Sequence, residues 1–159
     1  MPLISSEDPL LKQKQPRFDF LNPPVDPVEF AYTLVHNMLY HGGIGLAAPQ
    51  IGFPYRVFAI AANPVLVCYN PTIIDTSEKT EELEEGCLTF PKLVLKIKRP
   101  AFIRVRYTLP NGDTQTNKYI GMTARIFQHE YDHLEGVLFT EHVGPVKLAL
   151  AKARAKKHE

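Results

Sequence analysis

Along the chain, apolar residues first fall into a helical rhythm at Phe30, Ala31, Leu34, Val35 and Met38, spacings that turn one face of a helix inward. Asp26-Pro27-Val28-Glu29 precedes this run and Gly42-Gly43 follows it. A capping carboxylate, a proline suited to the first helical position and a capping-box spacing start the helix, and the glycines stop it. Residues 56–61 (RVFAIA) and 64–69 (PVLVCY) are short apolar runs bounded by Pro54, Asn63, Pro64 and Pro71, the pattern of buried strands. From Asp75 to Glu85 six acids accompany one lysine, which reads as a solvated loop; a metal-binding acid cluster needs a tighter alternation of ligands. Residues 93–98 (LVLKIK) and 102–109 (FIRVRYTL) alternate in the strand manner, and Pro110-Asn111-Gly112-Asp113 turns the chain into 114–120 (TQTNKYI), so that these segments predict an antiparallel sheet. A second helix is expected from Thr123 to Glu135, closed by Gly136, and a third from Pro145 to Lys157. Strands in the middle with helices before and after predict an α+β fold, its antiparallel or mixed sheets packed around the second helix.

Composition narrows the classes of function. At 159 residues the chain suits one domain, with residues 1–15 as an N-terminal arm and 145–159 as a basic C-terminal helix. Apolar residues at 45% and charged residues at 22% are ordinary globular usage, which excludes a disordered or collagen-like chain. No run nears the roughly 18 apolar residues that span a bilayer, so no membrane partner is expected. Lys and Arg number 18 against 17 acids, a formal charge of +1, and a nucleic-acid partner would therefore need a local patch. Two cysteines cannot build a disulfide framework, so a reducing compartment is expected and each cysteine is either buried or chemical. The first 30 residues hold Asp8, Lys12, Lys14, Arg17 and Asp19 without a leader-like apolar stretch, which makes the cytoplasm the expected location.

The chemistry concentrates in His129-Glu130-Tyr131-Asp132-His133 on the second helix. At 3.6 residues per turn the two imidazoles stack on one face and reach one metal ion, while Glu130, about 100° round the helix, touches a water on that ion without being a ligand. A catalytic site of this kind needs a third protein ligand. The third His of the metzincin spacing is replaced by Phe139, and Glu141 lies too close to come from another packed helix. Upstream, Cys87 stands in Glu85-Gly86-Cys87-Leu88-Thr89, where glycine permits a tight approach beside a thiolate, and is the better third ligand. Cys68 lies in an apolar strand and reads as a small core hydrophobe. Gly43-Ile44-Gly45-Leu46-Ala47-Ala48-Pro49-Gln50 follows the first helix; alone it suits a tight turn, and it lacks a dinucleotide-binding spacing.

Taken together, GIGLAAPQ, EGCLTF and QHEYDHLEG resemble, in order, the three motifs of the peptide deformylase family, and the similarity extends over residues 8 to 143. The resemblance implies a metal hydrolase that removes the formyl group from N-formylmethionyl peptides. It implies Cys87, His129 and His133 as ligands of one divalent ion, iron(II) most often and zinc, nickel or cobalt as substitutes. It implies Glu130 as general base and acid, and Gln50 with the Leu88 main-chain N–H facing the formyl oxygen. Gly45 would lend main-chain contacts to an extended substrate beside a strand, and Gly43, Ile44, Glu85 and Gly86 would touch substrate. A monomer acting in a bacterial or bacterial-host cytoplasm is the corresponding expectation.

Two positions depart from the family pattern. Thr89 replaces the usual serine, keeping a hydroxyl, and Val94 stands where many members carry an arginine. Arg125, one turn before His129, either lines the pocket for the methionine side chain or forms a surface ion pair. Ile44, Leu83, Met122 and Ile126 are candidates for that pocket's wall and equally for core packing. Lys147 to Lys157 carries five positive charges beside Leu148, Leu150 and alanines, the pattern of a solvated helix packed lightly on the domain or of a contact with ribosomal RNA phosphates.

Overall fold

A computed structural model describes residues 1–157; His158 and Glu159, the end of the expected 145–159 segment, lie outside the described residues. Asp26 caps α1 (Pro27–Tyr40), its carboxylate accepting from the Val28 and Glu29 N–H groups at 2.9 and 3.1 Å. Past Gly42, whose φ of +71° admits the turn, comes β1 (Gly45–Ala47) and a 3-10 turn (Ala48–Ile51). Then follow β2 (Val57–Ile60), β3 (Leu66–Thr76), β4 (Thr80–Cys87), β5 (Phe90–Pro100), β6 (Phe102–Thr108) and β7 (Thr114–Ile120). The chain ends with α2 (Gly121–Leu134), a 3-10 turn (Phe139–His142) and α3 (Pro145–Lys157).

One sheet runs β1-β2-β3-β6-β7 and a second holds β4 and β5, with every pair antiparallel. The unbroken apolar runs of β2 and early β3 follow from burial on both faces. Val57, Ala59, Val67 and Tyr69 pack with Leu34 and Met38 of α1. Their neighbours Phe58, Ile60 and Cys68 turn the other way, onto Ala124 and Phe127 of α2, as strand alternation requires. Cys68 is fully buried there. A third cluster joins Leu93, Leu95 and Ile97 of β5 to Phe139, Leu148 and Ala151, seating α3 on the hairpin. Among the described residues no helix is long and apolar enough to cross a membrane.

Three expectations change. β3 does not stop at Pro71 but continues to Thr76 through a register shift between Tyr69 and Thr72, because a bulge tolerates a residue with no N–H to donate. The acidic stretch is not a loop: most of it is β4, and Glu82 and Glu84 stand opposite Lys98 and Lys96 of β5, cross-strand pairs that offset the repulsion among acids. Finally, β5 pairs with β4 and not with β6, so residues 93–120 divide between two sheets.

Asn70 sits at the β3 bulge with φ +48°. Its side chain accepts from the Phe18 N–H at 2.7 Å and donates to the Phe18 carbonyl at 2.9 Å, tying the segment before α1 to the sheet. Asn70→Ala leaves both Phe18 groups unpaired beside a buried cluster and is expected to lower stability by about 2 kcal/mol, read from the urea midpoint at unchanged slope.

Candidate metal centre

Ala124, Phe127 and Leu134 anchor α2 on the sheet, and its other face presents His129, Glu130 and His133. Cys87 ends β4 at the tight turn through Leu88 and Thr89, so the hairpin delivers the sulfur to the helix. The Cys87 Sγ lies 3.3 Å from His133 Nε2, and the three donor atoms of Cys87, His129 and His133 fall within 4.8 Å of one another. Ligand atoms at 2.0 to 2.3 Å around a tetrahedral ion are separated by about 3.5 Å, so this set of one thiolate and two imidazoles fits a divalent metal. His129 Nδ1 pairs with Glu85 Oε1 at 2.9 Å, leaving Nε2 for the ion.

Glu85 is the hub of this arrangement. Only 6% exposed, its carboxylate accepts from Arg99 Nε and Nη2 at 2.6 and 2.9 Å, from Arg125 Nη1 at 2.7 Å, and from His129. Burial pushes its pKa up, but hydrogen bonds from His129, Arg99 and Arg125 and the Arg99 charge outweigh it and hold the carboxyl well below the usual range. Arg99 also bonds Asp132 at 2.9 Å, and Asp132 meets His142 Nε2 at 2.7 Å. Glu85 lines the cavity, and its carboxylate oxygens are engaged by Arg99, Arg125 and His129. Arg125 is buried, not a surface ion pair: beyond Glu85 it donates to the Ile97 and Glu81 carbonyls at 2.8 and 2.7 Å, bracing both strands of the hairpin. No signal in the sequence marked this network, because its bonded partners lie 10 to 44 residues apart.

Burial disfavours charge on His129, but hydrogen bonds with Cys87 and Glu85 override it and push the imidazole up to about 10. His133 goes the other way, lowered by burial and then by the charges of His129 and Arg99. Burial, reinforced by Glu85 and Asp132 against the attraction of His129 and Arg99, pushes the Glu130 carboxyl up to about 7. Among the described residues its Oε1 is buried without a hydrogen-bond partner.

All the expected site residues except His133 and the candidate wall residue Leu83 line a cavity of about 530 Å³: Gly43, Ile44, Gly45, Gln50, Glu85, Gly86, Cys87, Leu88, Met122, Arg125, Ile126, His129 and Glu130. Gln50 is held in place, its Oε1 accepting from the Ala47 N–H at 2.9 Å and its Nε2 donating to Thr89 Oγ1 at 3.0 Å and toward Cys87 Sγ at 3.6 Å. The Thr89 hydroxyl thus fixes the amide. A Cβ on Gly45 would fall 2.5 Å from Glu130 Oε2, so only glycine lets this strand pass the carboxylate. Leu83, 37% exposed on β4, and Val94, 48% exposed on β5, are not among the lining residues. Leu3, His41, Gly42, Glu84, Pro91 and Lys92 line the cavity in addition; apart from the glycine beside the motif, none stands in a pattern that would have marked it.

A cysteine sulfur and two imidazoles around an HExxH helix, with the Glu130 carboxyl at hand and a strand edge beside it, define a hydrolase of the HExxH class. Within that class the chain belongs to the polypeptide deformylase family, whose model matches residues 1–149. It is 39% identical to the peptide deformylase of Thermotoga neapolitana over 76% of this chain and 74% of that one, and 34% identical to that of Christiangramia forsetii over 97% and 87%. Among solved structures, a Synechococcus elongatus peptide deformylase in complex with actinonin superposes with a TM-score of 0.88 at 34% identity, covering 98% of this chain and 85% of that one. The Thermotoga maritima peptide deformylase gives 0.82 at 32% identity, covering 91% and 97%.

Glu85→Gln removes a charge that two buried arginines and His129 share. Divalent-metal affinity is expected to fall roughly 10- to 100-fold, read by chelator competition, and stability by about 3 kcal/mol, read by denaturation.

Proposed function

We propose that this chain hydrolyses the N-formyl group of N-formylmethionyl peptides to formate and a free amino terminus, with Cys87, His129 and His133 holding one divalent ion. The single observation that carries this reading is the convergence of Gln50, Glu130, Cys87 and His129 at one cavity beneath a strand edge, with His133 Nε2 3.3 Å from the Cys87 sulfur to complete the donor set. An ion held there would supply Lewis acidity and draw the pKa of water down toward about 7. A soft thiolate beside two imidazoles suits iron(II) or zinc, and iron(II) is the native ion in this reading.

Each residue then has a task. β1 is the edge of its sheet, and the peptide main chain lies along it as an added strand at Gly45. Met122, Ile126 and the stem of Arg125 receive the methionine side chain. Gln50 turns the N–H it spends weakly on sulfur toward the formyl oxygen, and the Leu88 N–H joins it; donors of this kind are worth about 3 kcal/mol each as the oxygen gains charge. Glu130 takes a proton from the attacking water and returns it to the departing amine, work suited to a carboxyl held near neutrality. Residues 1–159 act as one catalytic domain, monomeric, in the cytoplasm where formylated chains are made. Lys152, Arg154, Lys156 and Lys157, exposed on α3, give the enzyme a transient contact with ribosomal RNA.

Anaerobically prepared, iron-loaded protein is expected to release formate from formyl-Met-Ala. Glu130→Gln should cut kcat by roughly 10²- to 10⁴-fold at unchanged metal content; full activity in that variant would sink the assignment. Changing Lys152, Arg154, Lys156 and Lys157 to Gln should weaken cosedimentation with ribosomes roughly tenfold at moderate salt and leave turnover of the dipeptide as it was.

A further inference from the structure

The N-terminal arm reaches the rim of the catalytic cavity. The Ile4 N–H donates to the Gln50 carbonyl at 3.0 Å, and His41, just past α1, meets the Met1 carbonyl through Nε2 at 2.9 Å. The Ile4 side chain covers Gly52, where a Cβ would lie 3.5 Å from Ile4 Cγ2. Between these anchors Leu3 is half-buried, packs on the α1 cluster that also supports Leu88, and lines the cavity.

The course of a bound peptide follows from two close approaches. A Cβ at Gly45 would meet Glu130 Oε2 at 2.5 Å, whereas one at Gly43 would meet Leu88 Cδ1 at 2.6 Å. Residues 43 to 45 thus run from an apolar contact to the reacting carboxylate. Beyond Gly45 the chain is closed, since Leu46, Ala47 and Ala48 are fully buried, while Ile44 is 57% exposed. A peptide with its formyl end at Glu130 therefore leaves past Gly43 and the Leu88 side chain, along the cavity that Leu3 also lines.

We propose that Leu3 is a specificity-determining residue, an apolar wall for a side chain downstream of the formylated methionine. This rests on the deformylase reading above. It makes the N-terminal arm part of the substrate site, and it selects peptides with an aliphatic residue at the second or third position.

The test compares formyl-Met-Ala-Ala, formyl-Met-Leu-Ala and formyl-Met-Ala-Leu. The wild-type protein is expected to favour one of the leucine peptides over the alanine peptide by on the order of tenfold in kcat/KM. Leu3→Ala should erase that preference through KM, with kcat on formyl-Met-Ala-Ala and metal content at wild-type levels, and Leu3→Met should retain it. Equal treatment of the three peptides by the wild type, or a preference that survives Leu3→Ala, overturns the proposal. Absence of formate from every peptide overturns the deformylase reading itself, and this proposal with it.

Discussion

The Glu85 carboxylate, 6% exposed and shared by Arg99, Arg125 and His129, joins the two parts from which the site is made. Cys87 belongs to the β4–β5 hairpin and the two histidines to α2, and the two-stranded sheet is separate from the five-stranded one. Ridged apolar packing alone sets such a joint loosely, whereas charge-assisted hydrogen bonds have narrow distance and angle requirements. An isolated buried carboxylate would cost several kcal/mol. Here it is fully paired, and that pairing holds the sulfur at the right approach to the imidazoles.

Around this joint the molecule divides its tasks. β2 and the start of β3 are buried on both faces, with α1 on one and α2 on the other, so the helix that carries the histidines rests on a floor that cannot shift without opening two cores. The edge of β1 remains unpaired within the sheet, and β1 is short, which limits the unpaired main chain it presents. Rigidity sits beneath the metal ligands and openness lies beside them. Gly45 reconciles the two, since its missing Cβ is what allows the open strand to run against Glu130.

Much of the fold was legible in local pattern. α1 lies between its cap and its glycines, and β6, the turn at 110–113 and β7 fall where alternation puts them. β4 was not legible because composition masked it: six acids read as a solvated loop until the partner strand is known, and only the register against Lys96 and Lys98 shows why they tolerate extended pairing. The end of β3 was misplaced because proline forbids a ladder bond but not a bulge. Arg125 stayed open between a pocket wall and a surface ion pair because its three partners are brought to it by the hairpin and not by its own helix.

For the site the division is equally physical. The sequence by itself determined the chemistry: the i, i+4 histidines and the intervening glutamate are a helical geometry that needs no tertiary information, and the three motifs carried the family. The motifs already pointed to Cys87 as the third ligand; tertiary structure alone decided that its sulfur lies within reach of both imidazoles, that the Glu85 carboxylate pairs with His129, that Thr89 steadies Gln50, and that Leu3 reaches the cavity at all. Each of those depends on contacts between residues dozens of positions apart, where strand order and register, and not local spacing, bring the atoms together.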